Sequence, residues 1–212
     1  MGFPDWIPLF PLPNAVLFPG VPLPLHIFEP RYREMVRDAE RDPDPMIGMV
    51  LLRGEWRRDY YERPEVFAIG CAGRMVHCEG LPDGRYNILL QGVREFTLHD
   101  EEQSRSYRRG RVVWRPPAPN ELPGEIRDRV RRLMRRFDGL RESRVATRLL
   151  EDESISDELL VNFLCYALDF SPLEKQALLE TAAVSERARR LCEVIQFALE
   201  GGAAASRDDW RH

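Results

Sequence analysis

Seven prolines fall within the 26 residues Ile7–Tyr32, IPLFPLPNAVLFPGVPLPLHIFEPRY, interleaved with leucine, phenylalanine, valine and isoleucine. Proline lacks a backbone donor and fixes its own φ, so this run is expected to form neither a long helix nor a central strand. A disordered proline-rich linker would be poor in large apolar residues, and this run is rich in them. The remaining solution is a strap of short extended pieces, turned at Asn14 and at Pro19-Gly20. Leu9, Phe10, Leu17 and Leu25 pin it to a core. The rest of the chain is expected to need this strap in place.

Downstream, the spacing of Tyr32, Met35, Val36 and Ala39 predicts a helix over Glu29–Arg41, with Pro30 in its first turn. Met46–Leu52 is an apolar run of strand length, buried on both faces. Gly54–Pro64 is polar and reads as a loop, although it carries Trp56, Tyr60 and Tyr61. Val66–Glu79 reads as one strand bent at Gly70 and Gly73. Strands over Arg85–Gln91 and Arg94–His99 follow, divided at Gly92-Val93, and another over Arg108–Trp114.

Beyond the Pro116–Pro119 linker the period becomes helical. Ile126, Val130, Leu133, Met134 and Phe137 form one stripe, and Leu159, Leu160, Phe163, Leu164 and Ala167 a second. Ser171-Pro-Leu-Glu174 is a capping box with a first-turn proline. A last helix starts near Ser185 and is expected to stop at Gly201-Gly202. The fold class is therefore α+β: a β-rich domain over residues 1–117, an all-α bundle over 118–202 and a flexible tail over 203–212.

Charge bears on how the helices pack and on partners. Residues 125–148 carry nine arginines against four acids, and residues 149–186 carry nine acids against Lys175 alone. A basic helix beside acidic ones is an internal match. No apolar run reaches the length of a membrane span, and the N-terminus lacks the features of a signal peptide. The four cysteines, Cys71, Cys78, Cys165 and Cys192, show no CxxC spacing and read as buried thiols of a reducing, cytoplasmic compartment.

Three motifs in the strap resemble the opening signature of the Lon protease N-terminal (substrate-binding) domain family. They are Pro8-Leu-Phe-Pro-Leu12, Val16-Leu-Phe-Pro-Gly20 and Pro24-Leu-His-Ile-Phe-Glu-Pro-Arg-Tyr32. The resemblance continues through Ile47-Gly48, Gly70–Val76, Leu81–Ile88 and Glu174–Glu180. It implies a PUA-like pseudo-barrel followed by a helical bundle. It also implies a surface that engages unfolded or tagged polypeptides, as this region does in Lon proteases, where it also helps hold the hexamer. The chain lacks GxxxxGK[ST]. It therefore reads as a free-standing copy without the ATPase and peptidase modules, which could assist a separate protease.

No constellation of residues recommends catalysis, a cofactor or a metal. His77 and Cys78 are adjacent, so a regular strand sends them to opposite faces. No GxSxG elbow is present, and Ser171 is better used as a helix cap than as the partner of Lys175. Nucleic acid is disfavoured because the sequence pI of 5.7 is far from the basic signature of such domains. The reading is a non-catalytic module that binds unfolded or extended polypeptide segments. Trp56, Tyr60 and Tyr61 are its candidate contacts, and an exposed sheet edge is a further route. The competing role for the aromatic loop is to fold back and cover the barrel. The alternative functions are RNA binding by a PUA-like protein and an uncharacterised hydrolase. Oligomeric state is left open by the sequence.

Overall fold

The structure, a computed structural model, describes residues 2–102, 104–117, 121–136, 152 and 154–208. Phe137, residues 118–120 of the linker and residues 209–212 of the tail lie outside the described residues. The chain forms two compact units, Met1–Pro117 with Ser171–Leu179, and Ala118–Phe170 with Glu180–His212.

The first unit contains β1 (Trp6–Leu12), β2 (Pro22–Ile27), α1 (Pro30–Ala39), β3 (Met46–Leu51), β4 (Ile69–Gly80), β5 (Tyr86–Glu102) and β6 (Arg108–Trp114). The strand order is β2-β5-β4-β3-β1-β6, and β5 also pairs with β6. The pairings therefore close a ring, β5-β4-β3-β1-β6 and back to β5, with β2 added along the first half of β5. Among the described strands only β1 and β3 run parallel. Ile7, Leu9, Met46, Val50, Ala72, Phe96 and Val112, drawn from all five ring strands, form one core cluster. Every residue of β3 is buried, as its unbroken apolar run requires.

The strap departs from expectation in two respects. β1 is not an edge strand; it lies between β3 and β6. Its two pairings are staggered: Trp6–Leu9 match β6, Leu9–Leu12 match β3, and only Leu9 belongs to both. Pro8 and Pro11 each sit where one neighbour alone is paired, so neither has to supply a ladder on both sides. Leu9, Phe10 and Leu17 are buried, whereas Leu25 is only half-buried.

β5 is a single strand of 17 residues, not two divided at Gly92-Val93. At Gly92 the strap crosses it: Gly92 N–H donates to Val21 C=O and Gly20 N–H donates to Gly92 C=O, both at 2.9 Å. A Cβ at Gly92 would overlap the Phe18 carbonyl oxygen. The glycine permits a close crossing and does not end the strand. β4 begins at Ile69, and Val66 makes only an isolated bridge to Leu52.

The second unit contains α2 (Gly124–Arg136), α3 (Asp157–Ala167) and α5 (Val184–Asp208), with α2 and α3 each packed on α5. Val130, Leu133 and Met134 are buried as their spacing predicts. On α3 the buried face is rotated from the expected stripe. Leu160, Val161, Leu164 and Cys165 point inward with Asp157 and Asn162, while Ala167 is exposed. The polar residues can turn inward because each finds a hydrogen-bonding partner. Asp157 accepts from Leu122 N–H at 2.9 Å and pairs with Arg127 at 2.5 Å, and Asn162 accepts from Arg187 at 2.5 Å. α5 continues through Gly201-Gly202 to Asp208, where a stop was expected. A helical glycine costs about 1 kcal/mol, which does not by itself end a helix.

α4 (Pro172–Glu180), expected in the bundle, belongs to the first unit as far as Leu179. Gln176 donates to the Ile69 carbonyl at 2.9 Å, and Arg115 donates to the Leu179 carbonyl at 3.4 Å. The capping box forms as read: Glu174 N–H donates to Ser171 Oγ at 3.3 Å, and Ser171 N–H donates to Glu174 Oε2 at 2.8 Å.

Candidate functional site

Residues 54–64 leave the sheet through a closed neck. Leu52 bridges Val66, and Arg53 N–H donates to Glu65 C=O at 2.8 Å. Between these points the loop winds through tight turns, with Asp59 N–H on Trp56 C=O at 3.2 Å and Glu62 N–H on Asp59 C=O at 2.8 Å. Gly54 enters the loop at φ +67°, a conformation glycine adopts without a Cβ penalty.

The loop is tied to the end of the strap through Tyr60. Its hydroxyl donates to Glu29 Oε1 at 2.6 Å, and its carbonyl accepts from both terminal nitrogens of Arg31 at 3.3 and 3.4 Å. Burial first, then the hydrogen bond to Glu29, push the Tyr60 phenol up to about 12. Arg31 donates to Glu29 at 3.1 Å, and its guanidinium lies over the rings of Tyr32, Tyr60 and Tyr61, at 4.6, 5.0 and 5.8 Å from their centroids. Cation–π contacts of this kind hold an arginine in one pose.

The three aromatic residues named from sequence thus share a loop but differ in role. Tyr60 is half-buried and structural. Trp56, also half-buried, meets it edge-on at 5.9 Å. Tyr61 is 84% exposed, with Tyr60 edge-on at 5.2 Å.

Opposite this loop is the turn joining β5 to β6. Arg108 grips Glu101 through two bonds of 2.6 Å and donates to the Pro64 carbonyl at 2.7 Å. Arg63 donates to the Glu102 carbonyl at 3.3 Å. Tyr107, its ring buried, donates to Asp38 on α1 at 2.9 Å, and Ser106 donates to Glu34 at 2.7 Å. Burial, reinforced by Asp38, pushes the Tyr107 phenol up to about 12. Together these segments enclose a cleft of about 580 Å³ lined by Arg31, Tyr61, Arg63, Arg105, Tyr107 and Arg108 among others. A second cleft of about 530 Å³ shares Arg63 and Arg108 and includes Val66, Ala68, Leu98 and His99.

The cleft is rich in guanidinium groups, yet most are already matched: Arg31 by Glu29, Arg105 by Asp38 at 3.8 Å and Arg108 by Glu101. Such a wall holds its side chains in place and offers aromatic edges, stacked guanidinium planes and hydrogen-bond donors. Those groups suit peptide recognition better than capture of a bare anion. Sequence reading singled out the aromatic loop and not Arg31, Arg105 or Tyr107, which line the same cleft as Tyr61. Arg31 lies inside the Glu-Pro-Arg-Tyr segment, a visible signal. Nothing local to Arg105–Tyr107 announces that the turn closes on α1. Among the described residues no group of three or more His, Cys, Asp and Glu is placed to hold a metal ion. No helix among them is long and apolar enough to cross a membrane.

Comparison with known proteins gives a consistent result. Residues 6–196 match the family model of the ATP-dependent protease La (LON) substrate-binding domain. The chain is 27% identical over 196 residues to a Lon protease of Parabacteroides distasonis, covering 90% of this chain and 24% of that protein. A Lon protease of Paraburkholderia phytofirmans is 28% identical over 200 residues, again with 24% of its length covered. The chain therefore spans about a quarter of the curated relatives it matches. Among solved structures, a Lon N-terminal domain protein from Xanthomonas campestris superposes with a TM-score of 0.65 at 26% identity, covering 88% of this chain and 96% of that one. The N-terminal domain of Mycobacterium avium complex Lon protease gives a TM-score of 0.68 at 16% identity, covering 90% of this chain and 98% of that one, a likeness of fold alone.

Proposed function

Because the chain belongs to the family of the Lon substrate-binding domain, we propose that it is a non-catalytic, cytoplasmic recognition module for extended polypeptide segments, working beside a protease. The closed sheet is read as PUA-like, with the aromatic loop as part of the contact surface. The observation that carries the reading is Tyr61, which is 84% exposed at the mouth of a cleft of about 580 Å³. An exposed aromatic side chain beside a preorganised wall is the usual composition of a binding hot spot. Burying one such ring contributes roughly 1.5–3 kcal/mol before ordering costs, well short of the about 8 kcal/mol of micromolar affinity, so tight capture needs several such contacts acting together.

The test is capture of a reduced, alkylated, permanently unfolded protein by the whole chain and by its variants. Tyr61→Ala is expected to weaken capture by roughly 1–2 kcal/mol, and Trp56→Ala by less. Tyr60→Phe, which keeps the ring and loses the Glu29 contact, is expected to act mainly on stability. Unchanged capture by Tyr61→Ala, with circular dichroism intact, removes the loop from the proposal. No specific observation favours the RNA-binding or hydrolase readings. The α2 arginines that would serve RNA include Arg127, bound to Asp157, and Arg129, which donates to Gln196 at 3.1 Å.

A further inference from the structure

Beyond its closed ring, the sheet of the first unit continues as three paired segments: β2, Tyr86–Gln91 of β5 and Arg74–Gly80 of β4. This extension has two outer edges, and they are built differently. Antiparallel partners alternate between pairs that exchange backbone hydrogen bonds and pairs whose N–H and C=O groups point away from each other.

Two bonds fix the phase. Gly92 N–H donates to Val21 C=O at 2.9 Å, and Leu81 N–H donates to Arg85 C=O at 2.8 Å. Stepping by two from Val21, the register Leu23↔Leu90, Leu25↔Ile88 and Ile27↔Tyr86 turns those β2 residues toward β5. Pro22, Pro24 and His26 therefore present their backbone outward. Two of these three positions have no N–H to offer, so prolines close the β2 edge.

Stepping by two from Leu81, the bonded pairs are Glu79↔Asn87 and His77↔Leu89. Cys78 and Gly80 consequently turn their N–H and C=O groups away from β5. The partner on that side, β3, reaches only to Met46↔Arg74, and Met75 N–H donates to the Pro45 carbonyl at 2.9 Å. Past that point, no hydrogen bond among the described residues reaches the Cys78 or Gly80 backbone.

The side chains along this open edge define what fits it. Val76, at the bulge between Met75 and His77, is 52% exposed and apolar. Glu79 is exposed on the outer face, where it accepts from Asn87 at 3.1 Å. Asn87 in turn meets His26 at 2.8 Å, so one polar row braces all three strands. On the other face burial first, then the nearby exposed carboxylate of Glu40 at the C-terminal end of α1, push the Cys78 thiol up to about 12. A carboxylate thus stands on each side of the edge. An α-helix C-terminus adds partial negative charge at one of them.

We propose that the Val76–Gly80 edge of β4 docks an extended, lysine-bearing polypeptide segment as an added antiparallel or parallel strand. Main-chain bonds to Cys78 and Gly80 supply the affinity, and Glu40 or Glu79 receives the cation according to which face the lysines occupy. A second copy of this chain fits less well. It would bring the same carboxylates to the edge, and five residues bury far less than the about 1,200 Å² of a stable interface. The proposal takes only its ligand class from the function proposed above, and it uses a different surface.

The probe is a fluorescent ten-residue peptide of alternating lysine and valine, followed by anisotropy with the whole chain. Gly80→Pro transfers the β2 device to β4. A Cβ at Gly80 comes no closer than 3.7 Å to the Tyr86 ring, so space is available. This variant is expected to bind at least tenfold more weakly with an unchanged melting temperature. A peptide N-methylated at alternate residues, and a glutamate–valine peptide, are expected to lose binding to a similar degree. Glu40→Gln/Glu79→Gln is expected to abolish the preference for lysine over glutamate, whereas Tyr61→Ala leaves the edge unaffected. Unaltered binding by folded Gly80→Pro, or by the N-methylated peptide, overturns the proposal, as does absence of binding by the natural chain. A concentration-dependent dimer in sedimentation that Gly80→Pro abolishes would assign the edge to a second copy instead. Loss of binding in Tyr61→Ala alone would place the peptide in the cleft.

Discussion

The two units solve the burial problem in opposite ways. Apart from Gln176, which is matched by the Ile69 carbonyl, the buried side chains described in the sheet unit are apolar, and the unit brings backbones close, using glycine where strands and strap cross. Gly70 faces the Met49 carbonyl and Gly92 the Phe18 carbonyl, each too close for a Cβ. Its charged groups are matched at the surface, around the cleft. The helical unit does the reverse and puts polar groups inside. Arg187 is 1% exposed, Asn162 is fully buried and Asp157 is 7% exposed. A buried guanidinium is tolerated only where its donors find acceptors; the Arg187–Asn162 bond ties α5 to α3, and the Arg127–Asp157 pair ties α2 to α3. A unit built on close backbones is sensitive to added volume. A unit built on interior polar groups is sensitive to a missing partner.

The largest expected effect tests the second half of that contrast. Arg187→Ala removes one of the largest fully buried side chains and strips Asn162 and the Thr181 carbonyl of a donor, at 2.5 and 2.8 Å respectively. The cavity and the unsatisfied acceptors together are expected to destabilise the helical unit by about 3–5 kcal/mol. Chemical denaturation followed by circular dichroism reads this directly. A loss below about 1 kcal/mol would mean that the polar interior is incidental to the unit's stability.

Gly92→Ala tests the other half and ranks next. A single methyl group placed against the Phe18 carbonyl must push the strap off β5 or bend the strand, and overpacking of this kind costs about 1–3 kcal/mol. Gly84→Ala, by contrast, meets the guanidinium end of Arg33, a flexible group that can move aside, although its φ of +78° still disfavours a side chain. If Gly92→Ala proves as mild as an ordinary surface change, the crossing is looser than its hydrogen bonds imply.

The same contrast explains what the sequence made legible. Local chemistry was readable: the Ser171–Glu174 capping box, the two-face burial of Met46–Leu51 and the Tyr32, Met35, Val36 and Ala39 stripe all rest on neighbours within a turn. Features set by distant partners were not. The prolines of β1 argue against a place inside the sheet, and the stagger that gives each one a single paired neighbour has no local signal. Periodicity misplaced the buried face of α3, since it assumes that only apolar residues point inward, while Arg127 and Arg187 draw Asp157 and Asn162 to the inside. α4 reads from sequence as part of the bundle, because the bond from Gln176 to the Ile69 carbonyl that ties it to the sheet spans more than half the chain. Of the aromatic loop, composition revealed three candidate contacts. Only the geometry divides them into an anchor, Tyr60, and an exposed ring, Tyr61.

That division gives the smallest of the expected effects, and it is readable by titration. In the folded chain the Tyr60 phenol is raised to about 12 from an ordinary value near 10, by burial and by its bond to Glu29. Its protonated form is therefore favoured by folding. Between about pH 10 and 12 the unfolded chain has released this proton while the folded chain retains it, so the unfolded state binds fewer protons and stability falls as pH rises. Below pH 10 both states are protonated and the contribution is fully present. Tyr107, raised to about 12 by burial and Asp38, loses its contribution over the same window. Absorbance at 295 nm is expected to show these phenols ionising late. Tyr60→Phe should remove one late step and, having already lost the Glu29 contact, should lose less stability than the natural chain between pH 10 and 12. If Tyr60→Phe leaves the late steps unchanged, Tyr60 is not the anchor. The loop would then be free to present all three aromatic residues together.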